Sequence, residues 1–268
     1  MAHVDTQTSH RTITAAPAIE GLPPCTLAEG SLRLRFARTA ADVDAVMRLR
    51  FDVFNCELHE GLTESFATGR DEDDFDAGCH HLMVMDDRSG RLVGTYRLQT
   101  SEMAARHRGF YSASEFDLAA LPANVRAGAV ELGRACVAKD FRNRRALYLL
   151  WQGLAAYMTW NRKRFLFGCC SLPGTDIAAA RAAREYLVLQ GAIHPHLHAA
   201  PLAAFAAPKS IAPAGDPELP SLFRAYLRMG AKVLGGPAID HAFGTTDFFV
   251  LLDLTDLSPN TVGMFFGR

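Results

Sequence analysis

Three arginines crowd the mouth of what reads as a helix. In ELGRACVAKDFRNRRALYLLWQG, residues 131 to 153, a strand-like run passes through Lys139, Arg142, Arg144 and Arg145 and then becomes a helical apolar pattern. The N-terminus of a helix is the positive end of its dipole, so cations there need an anion to offset them. The first turn also offers backbone N–H groups that lack an internal partner. Arginine adds planar, fork-shaped donors that suit phosphate. These residue types at this spacing predict an anion-binding helix mouth. A second basic cluster, Arg162-Lys163-Arg164, closes the same helix, where it suits the dipole and needs no ligand.

Other charged residues sit among apolar neighbours. Arg50 falls in a helical pattern, where its stem can snorkel along apolar surface. Arg97 and Glu131 fall in strand-like runs, and a lone buried charge is costly, so each is expected to pair. Glu131 and Arg134 are three apart and would face opposite sides of a regular strand. A bulge would bring them to one side, and bulges are common beside active sites. An acidic loop, DEDDFDAG, spans residues 71–78.

The elements that must position these groups read as follows. LRLRFA (32–37) alternates like a strand. Thr39 caps a helix with Asp42 in the capping-box position, and apolar spacing carries that helix to about residue 56. Residues 81–99 form a hairpin around a DRSG turn. Short helices and loops fill 101–128, and a strand follows at 129–138. The helix at RRALYLLWQGLAAYMTWNR leads to a strand at 164–171 and a helix at 175–191 closed by Gly191. Residues 199–220 are Ala- and Pro-rich loop, before a short helix near 220–230 and a last strand at 246–254. This order is α+β, with one central mixed, mostly antiparallel sheet flanked by helices. Residues 1–30 lack periodicity and read as a flexible N-terminal tail, leaving 31–268 as a single domain with a C-terminal extension.

Composition narrows the function classes. With 28 basic and 29 acidic residues the net charge is −1, so no global field points to nucleic acid. None of the six cysteines forms a CxxC pair, and their irregular spacing reads as reduced thiols in the cytoplasm. Cys79-His80-His81 lacks a second ligand pair, and no metal site is expected. Cys136 reads as a small core residue. No apolar run is long enough to span a membrane, and the N-terminus lacks the order of a signal peptide.

The strand–loop–helix at 131–153 resembles the acyl-donor motif of the GNAT acyltransferase fold, whose usual pattern is R/Q-x-x-G-x-G/A. Here Arg142-Asn143-Arg144-Arg145-Ala146-Leu147 puts Arg145 where glycine is usual. That departure turns the expectation from coenzyme A toward a phosphopantetheine arm on an acidic acyl carrier protein. The order RLRFDVF, the acidic loop before HHL, GTYRL, YSASEFDL, ELGRACV, FRNRRALYLLWQG, GCCSLPGTD and LRMGAKVLGGPAIDHAFGTTDFFVLLDL is similar to the ornithine-acyl-[acyl carrier protein] N-acyltransferases, the lyso-ornithine lipid synthases often filed as "hemolysin-like". The likeness covers roughly residues 32–255.

A more distant resemblance is to acyl-homoserine-lactone synthases. It implies substrate-binding roles for Arg50, Asp71, Asp73, Asp76 and Arg97, and catalytic roles for Glu131 and Arg134. Glu131 would act as general base toward the amine. Val137, Arg142, Asn143, Arg144, Arg145 and Ala146 would hold the acyl donor. Together the resemblances imply acyl transfer from an acyl carrier protein thioester to the α-amine of ornithine, with glycine or another amino acid as alternative amines and a homoserine-lactone-type signal synthase as a further one. No cofactor would be permanently bound; the 4′-phosphopantetheine thioester is a co-substrate. The partners implied are the carrier protein and the amino acid, in a cytoplasmic protein with room for peripheral contact at the inner membrane because its product is a lipid.

Overall fold

The computed structural model describes residues 20–267 except Lys209, and of Arg144 only the backbone. Residues 1–19, read above as part of a tail, lie outside the described residues. Residues 20–30 are not tail. Leu22 is buried, and Leu27–Glu29 forms an edge strand, β1, paired antiparallel with β2 (Leu32–Phe36).

Helix α1 (Ala40–Arg50) begins at the expected capping box. Thr39 accepts from the Asp42 amide, and Asp42 accepts from the Thr39 amide, each at 3.1 Å. The chain then widens into a π-helix over Phe51–Leu58, so the helical segment reaches slightly further than its periodicity predicted. After the one-turn helix α2 (Ser65–Thr68) come β3 (His80–Asp86) and β4 (Arg91–Thr100), the expected hairpin. Short helices α3 (Ser101–Arg106) and α4 (Ala123–Ala127) precede β5 (Ala129–Val137), α5 (Arg144–Trp160), β6 (Phe165–Pro173) and α6 (Ile177–Leu189). Gly191 follows α6 with φ +62, as a left-handed stop should. Helix α7 (Ser221–Arg228), strands β7 (Lys232–Val233), β8 (Ala238–Asp240) and β9 (Thr245–Asp253), and helix α8 (Pro259–Phe266) complete the chain. The sequence pattern missed β1, β7, β8 and α8: the strands are two or three residues long, too short for a period to show.

The sheet runs β1-β2-β3-β4-β5-β6-β9-β7, with β8 also on β9. Every pairing is antiparallel except β5 with β6. Helix α5 lies on the β1–β4 face, where Leu149, Leu150, Leu154 and Tyr157 join Leu34, Leu82 and Val84 in the main core. A Cβ at Gly153 would come within 2.6 Å of Leu34 and 2.8 Å of Leu82, so glycine sets how closely α5 approaches the sheet. A second core of Phe116, Phe165, Phe167, Phe249 and Leu251 fills the far end. Among the described residues no helix is long and apolar enough to cross a membrane.

Candidate active site

The parallel pair β5–β6 creates the site. The two strands pair only at Ala129–Phe165, Val130–Leu166 and Glu131–Phe167. Gly168 lets the strands make their last close approach, since a Cβ there would lie 2.2 Å from the Leu132 carbonyl oxygen. Beyond that point the strands part, and a cavity of about 420 Å3 is lined by Leu132, Gly133, Arg134 and Ala135 on one side and by Leu166 to Ser171 on the other. Most of its wall is apolar, supplied by Trp151, Leu154, Met158, Leu222, Tyr226, Leu257, Phe265 and Phe266. Of the aromatic residues on α5 and β6, Trp151 and Phe167 face it. Its polar residues are few, among them Glu60, Arg134, Cys169 and Ser171.

The expected bulge is present. Thr95 pairs with Cys136 and Arg97 with Gly133, so Arg134 and Ala135 together oppose Tyr96. Arg134 takes φ +48, a left-handed conformation that a non-glycine residue rarely adopts and that concentrates at functional sites. The turn of the backbone brings its guanidinium to the cavity, between the rings of Phe243 at 4.4 Å and Phe54 at 5.4 Å. Phe54 belongs to the π-helix, as does Leu58, and both line the cavity. Arg134 Nε lies 3.3 Å from Asp71 Oδ1, while its Nη2 is buried without a hydrogen-bond partner. Burial lowers the pKa of this group, more than the Asp71 charge raises it.

Arg50, Asp71, Asp73, Asp76 and Arg97 converge, though chiefly on one another. Arg50 is fully buried and reaches Asp71 Oδ1 with Nε at 2.7 Å and Asp76 with Nη1 at 2.6 Å and Nη2 at 3.0 Å. Arg97 Nη1 holds both Asp73 oxygens at 2.6 Å and touches Asp76 at 3.3 Å. The acidic loop is tied down by the Asp71 amide, which donates to the Met47 carbonyl of α1. Burial works to raise the Asp76 carboxyl, but the charges of Arg50 and Arg97 outweigh it and hold the group well below the usual carboxylate range. Arg97 rises above its ordinary value despite its burial, through Asp73 and Asp76. Carboxylates and guanidinium groups expected to meet an amino acid directly are thus largely spent inside the protein; Asp71 Oδ2 alone of this set's carboxylate oxygens is buried without a partner.

Glu131 is also committed. Its Oε2 accepts from the Tyr111 amide at 2.6 Å, and Oε1 accepts from the Ser112 amide at 2.7 Å and the Ser112 hydroxyl at 2.5 Å. It braces the 110–114 turn and does not line the cavity, which places it poorly for the base role. Burial raises its pKa against those hydrogen bonds. Cys136 is buried in the core, its thiol pushed up to about 12 by burial.

The helix mouth differs from its anion-site expectation in two respects. Asn143 caps α5, accepting from the Arg145 and Ala146 amides at 3.0 and 3.2 Å, so the chain satisfies those donors itself. Arg142 makes a bidentate pair with Glu57 at 2.6 and 2.8 Å, and its Nε donates to the Val137 carbonyl at the end of β5. The anion for Arg142 is therefore on the same chain. Arg145 is exposed and lies over the β1–β2 turn near Gly30, while Arg144 is the first residue of α5. Ala146 is buried.

The spacing of charges in sequence did not single out Glu60, Glu115, Asp240 and Asp247. Burial raises Glu60, aided by Asp247. The signal was there in part: Asp240 and Asp247 flank the glycine turn of IDHAFGTTD, beside apolar strand sequence.

A family model described as acetyltransferase (GNAT) domain matches residues 49–152, from the end of α1 to the middle of α5. An L-ornithine N(alpha)-acyltransferase of Agrobacterium fabrum is 34% identical over 258 residues, covering 89% of this chain and 86% of that protein. Another of that name, from Rhizobium meliloti, is 35% identical over 278 residues, covering 96% and 91%. Among solved structures, FeeM, an N-acyl amino acid synthase from uncultured soil microbes, shares the fold with a TM-score of 0.51 at 10% identity over 84% of this chain and 93% of that one. The chain belongs to the L-ornithine N(alpha)-acyltransferase family and is an acyltransferase of the GNAT fold.

Proposed function

We propose that the chain moves a fatty acyl group from the thioester of an acyl carrier protein to the α-amine of ornithine, releasing the phosphopantetheine thiol and giving a lyso-ornithine lipid. The observation that carries this reading is Arg134. It stands in a strained conformation at the wall of a largely apolar cavity, with one buried guanidinium nitrogen, Nη2, that makes no hydrogen bond and has only the Asp73 carboxylate at 4.0 Å as an ionic neighbour. A substrate carboxylate would satisfy that nitrogen, and the apolar length of the cavity suits a fatty acyl chain.

The attacking amine must be neutral. With a pKa of about 8, about a tenth is neutral at pH 7, a cost of roughly 1.4 kcal/mol. Glu60 is the carboxylate that lines the cavity and its pKa is raised, so it takes the base role that Glu131 is poorly placed to fill. Glu131 becomes a positioning residue. The oxyanion of the tetrahedral intermediate would lie against β5 beyond Leu132, where the strand has no partner on its β6 side; one backbone donor there would supply roughly 2.7–4 kcal/mol. The exposed Arg145 at the α5 mouth would meet the acidic carrier. A lipid product favours work close to the inner membrane.

The test is direct. Purified protein, ornithine and a 3-hydroxyacyl thioester on either carrier protein or coenzyme A are combined, and products are read by mass spectrometry. N-acyl-ornithine is expected, with faster turnover from the carrier protein. No N-acyl-ornithine from either donor at any chain length refutes the reaction; equal turnover from coenzyme A refutes the carrier assignment alone.

A further inference from the structure

A second group of acids makes no ion pair with an arginine, though the charge of Arg134 reaches Asp247. Glu115, Asp240 and Asp247 are all buried, and one oxygen from each lies within 4.8 Å of the others. Their hydrogen bonds come from neutral groups. Asp247 accepts from Thr245 Oγ1 at 3.0 Å and from the Ser171 hydroxyl. Asp240 Oδ1 accepts from the Ala242 and Phe243 amides at 2.8 and 3.1 Å. Glu115 is 1% exposed, has the Tyr111 hydroxyl as a neutral neighbour and a weak Cys169 thiol contact at 3.7 Å on Oε2, and its Oε1 has no partner at hydrogen-bond distance. The contrast is with Asp71, Asp73 and Asp76, which three arginines neutralise.

We propose that Glu115, Asp240 and Asp247 form the pocket for the side-chain ammonium of the amino-acid substrate and so decide which amino acid is acylated. This rests on the acyl-transfer reading above and deepens it. Position supports it first. Ser171 and Cys169, which bond to the cluster, also line the cavity. Phe243, in the turn between Asp240 and Asp247, covers the Arg134 guanidinium at 4.4 Å. One hairpin therefore presents the acids and roofs the arginine. A diamino acid with its carboxylate on Arg134 has an extended side chain to lay toward the acids.

Geometry supports it next. An ammonium making three tetrahedral hydrogen bonds of about 2.8 Å sets its acceptors roughly 4.6 Å apart, which lies within the 4.8 Å that contains these oxygens. Calcium wants six to eight oxygens and magnesium a near-ideal octahedron. Here Ser171, Thr245, Ala242 and Phe243 already occupy acceptor positions. Burial, reinforced by mutual repulsion, pushes Glu115 up to about 8 and Asp247 up to about 6, the condition of acids awaiting a cation.

The test compares ornithine with norvaline, the same skeleton without the terminal amine. The wild-type kcat/KM should favour ornithine by roughly 30-fold or more, as for a buried charge pair. Asp247→Asn and Glu115→Gln should each cut that preference by at least about tenfold, chiefly through KM for ornithine, in protein whose melting temperature shows it folded. Calorimetric binding of the two amino acids to the wild type reads the same preference without turnover, so an absence of acyl transfer counts against the reaction and not the pocket. Equal binding of ornithine and norvaline overturns the proposal. So does a preference that survives in both variants, or a stoichiometric divalent metal in the purified protein that Glu115→Gln removes. If one variant does not fold, the other and the wild-type comparison still decide.

Discussion

At the scale of the residue, charge is divided between two buried sets with opposite fates. Arg50, Arg97 and Arg134 meet Asp71, Asp73 and Asp76 in a network that is nearly self-satisfied. Burying such a network is costly, yet removing one member leaves an uncompensated charge, a loss of about 3–5 kcal/mol. These residues therefore hold Arg134 in place more than they bind anything. Of the network's fully buried atoms, those left without a hydrogen bond are Arg134 Nη2, 4.0 Å from Asp73 Oδ2, and Asp71 Oδ2. Glu60 is of another kind, half-buried at the cavity wall. Glu60→Gln is expected to lower kcat roughly 10²–10⁴-fold and to abolish the rise of rate with pH that the base produces. Steady-state kinetics across pH check this, and an unchanged profile removes Glu60 from the reaction.

At the scale of the element, three local irregularities do the positioning. The π-helix at Phe51–Leu58 swings Phe54 and Leu58 onto the cavity. The β5 bulge turns Arg134 inward, and the β8–β9 turn brings Phe243 over it. The first two break a regular ladder where the ligand side begins. Helix α5 is regular by contrast, and its mouth is capped by Asn143. Replacing Asn143 with alanine frees two amides and should cost about 1 kcal/mol of stability, read from chemical denaturation. A midpoint equal to the wild type would mean that water replaces the cap.

At the scale of the molecule, buried titrating groups shape stability on both sides of neutrality. Burial holds His80 and His81 down to about 4, so the native state refuses protons that the unfolded chain accepts near 6.5. Their contribution is present above that value and lost as pH falls through 4. Glu115 is the reverse. Its folded value of about 8 exceeds an unfolded value near 4.3, so its contribution is whole at low pH and lost as pH rises through 8. Melting temperature should therefore fall toward both pH 4 and pH 9, and Glu115→Gln should flatten the alkaline side. A variant whose alkaline slope matches the wild type would mean that Glu115 does not carry that proton. Ornithine, if it fills the acidic pocket, should raise the melting temperature most where the carboxylates are ionised.

The sequence by itself determined the local architecture. The Thr39–Asp42 capping box, the hairpin at 81–99, the glycine stop after α6 and the α+β order all follow from short-range periods and caps, which need no distant partner. It also implied the bulge, since Glu131 and Arg134 could not otherwise share a side. Only the tertiary structure decided what the charges do. Arg142 finds Glu57, Glu131 finds the 110–114 turn, and the acidic loop finds three arginines, because partners far apart in the chain are chosen by how strands and turns pack. Glu115, Asp240 and Asp247 show the same reason in its sharpest form. Nothing in the spacing links Glu115 to the other two, and the β6–β9 and β8–β9 pairings bring Asp240 and Asp247 beside Ser171 and the site. Patterning along a chain records which face is buried, and the pairing and packing of the strands determine which buried charge is left without a partner.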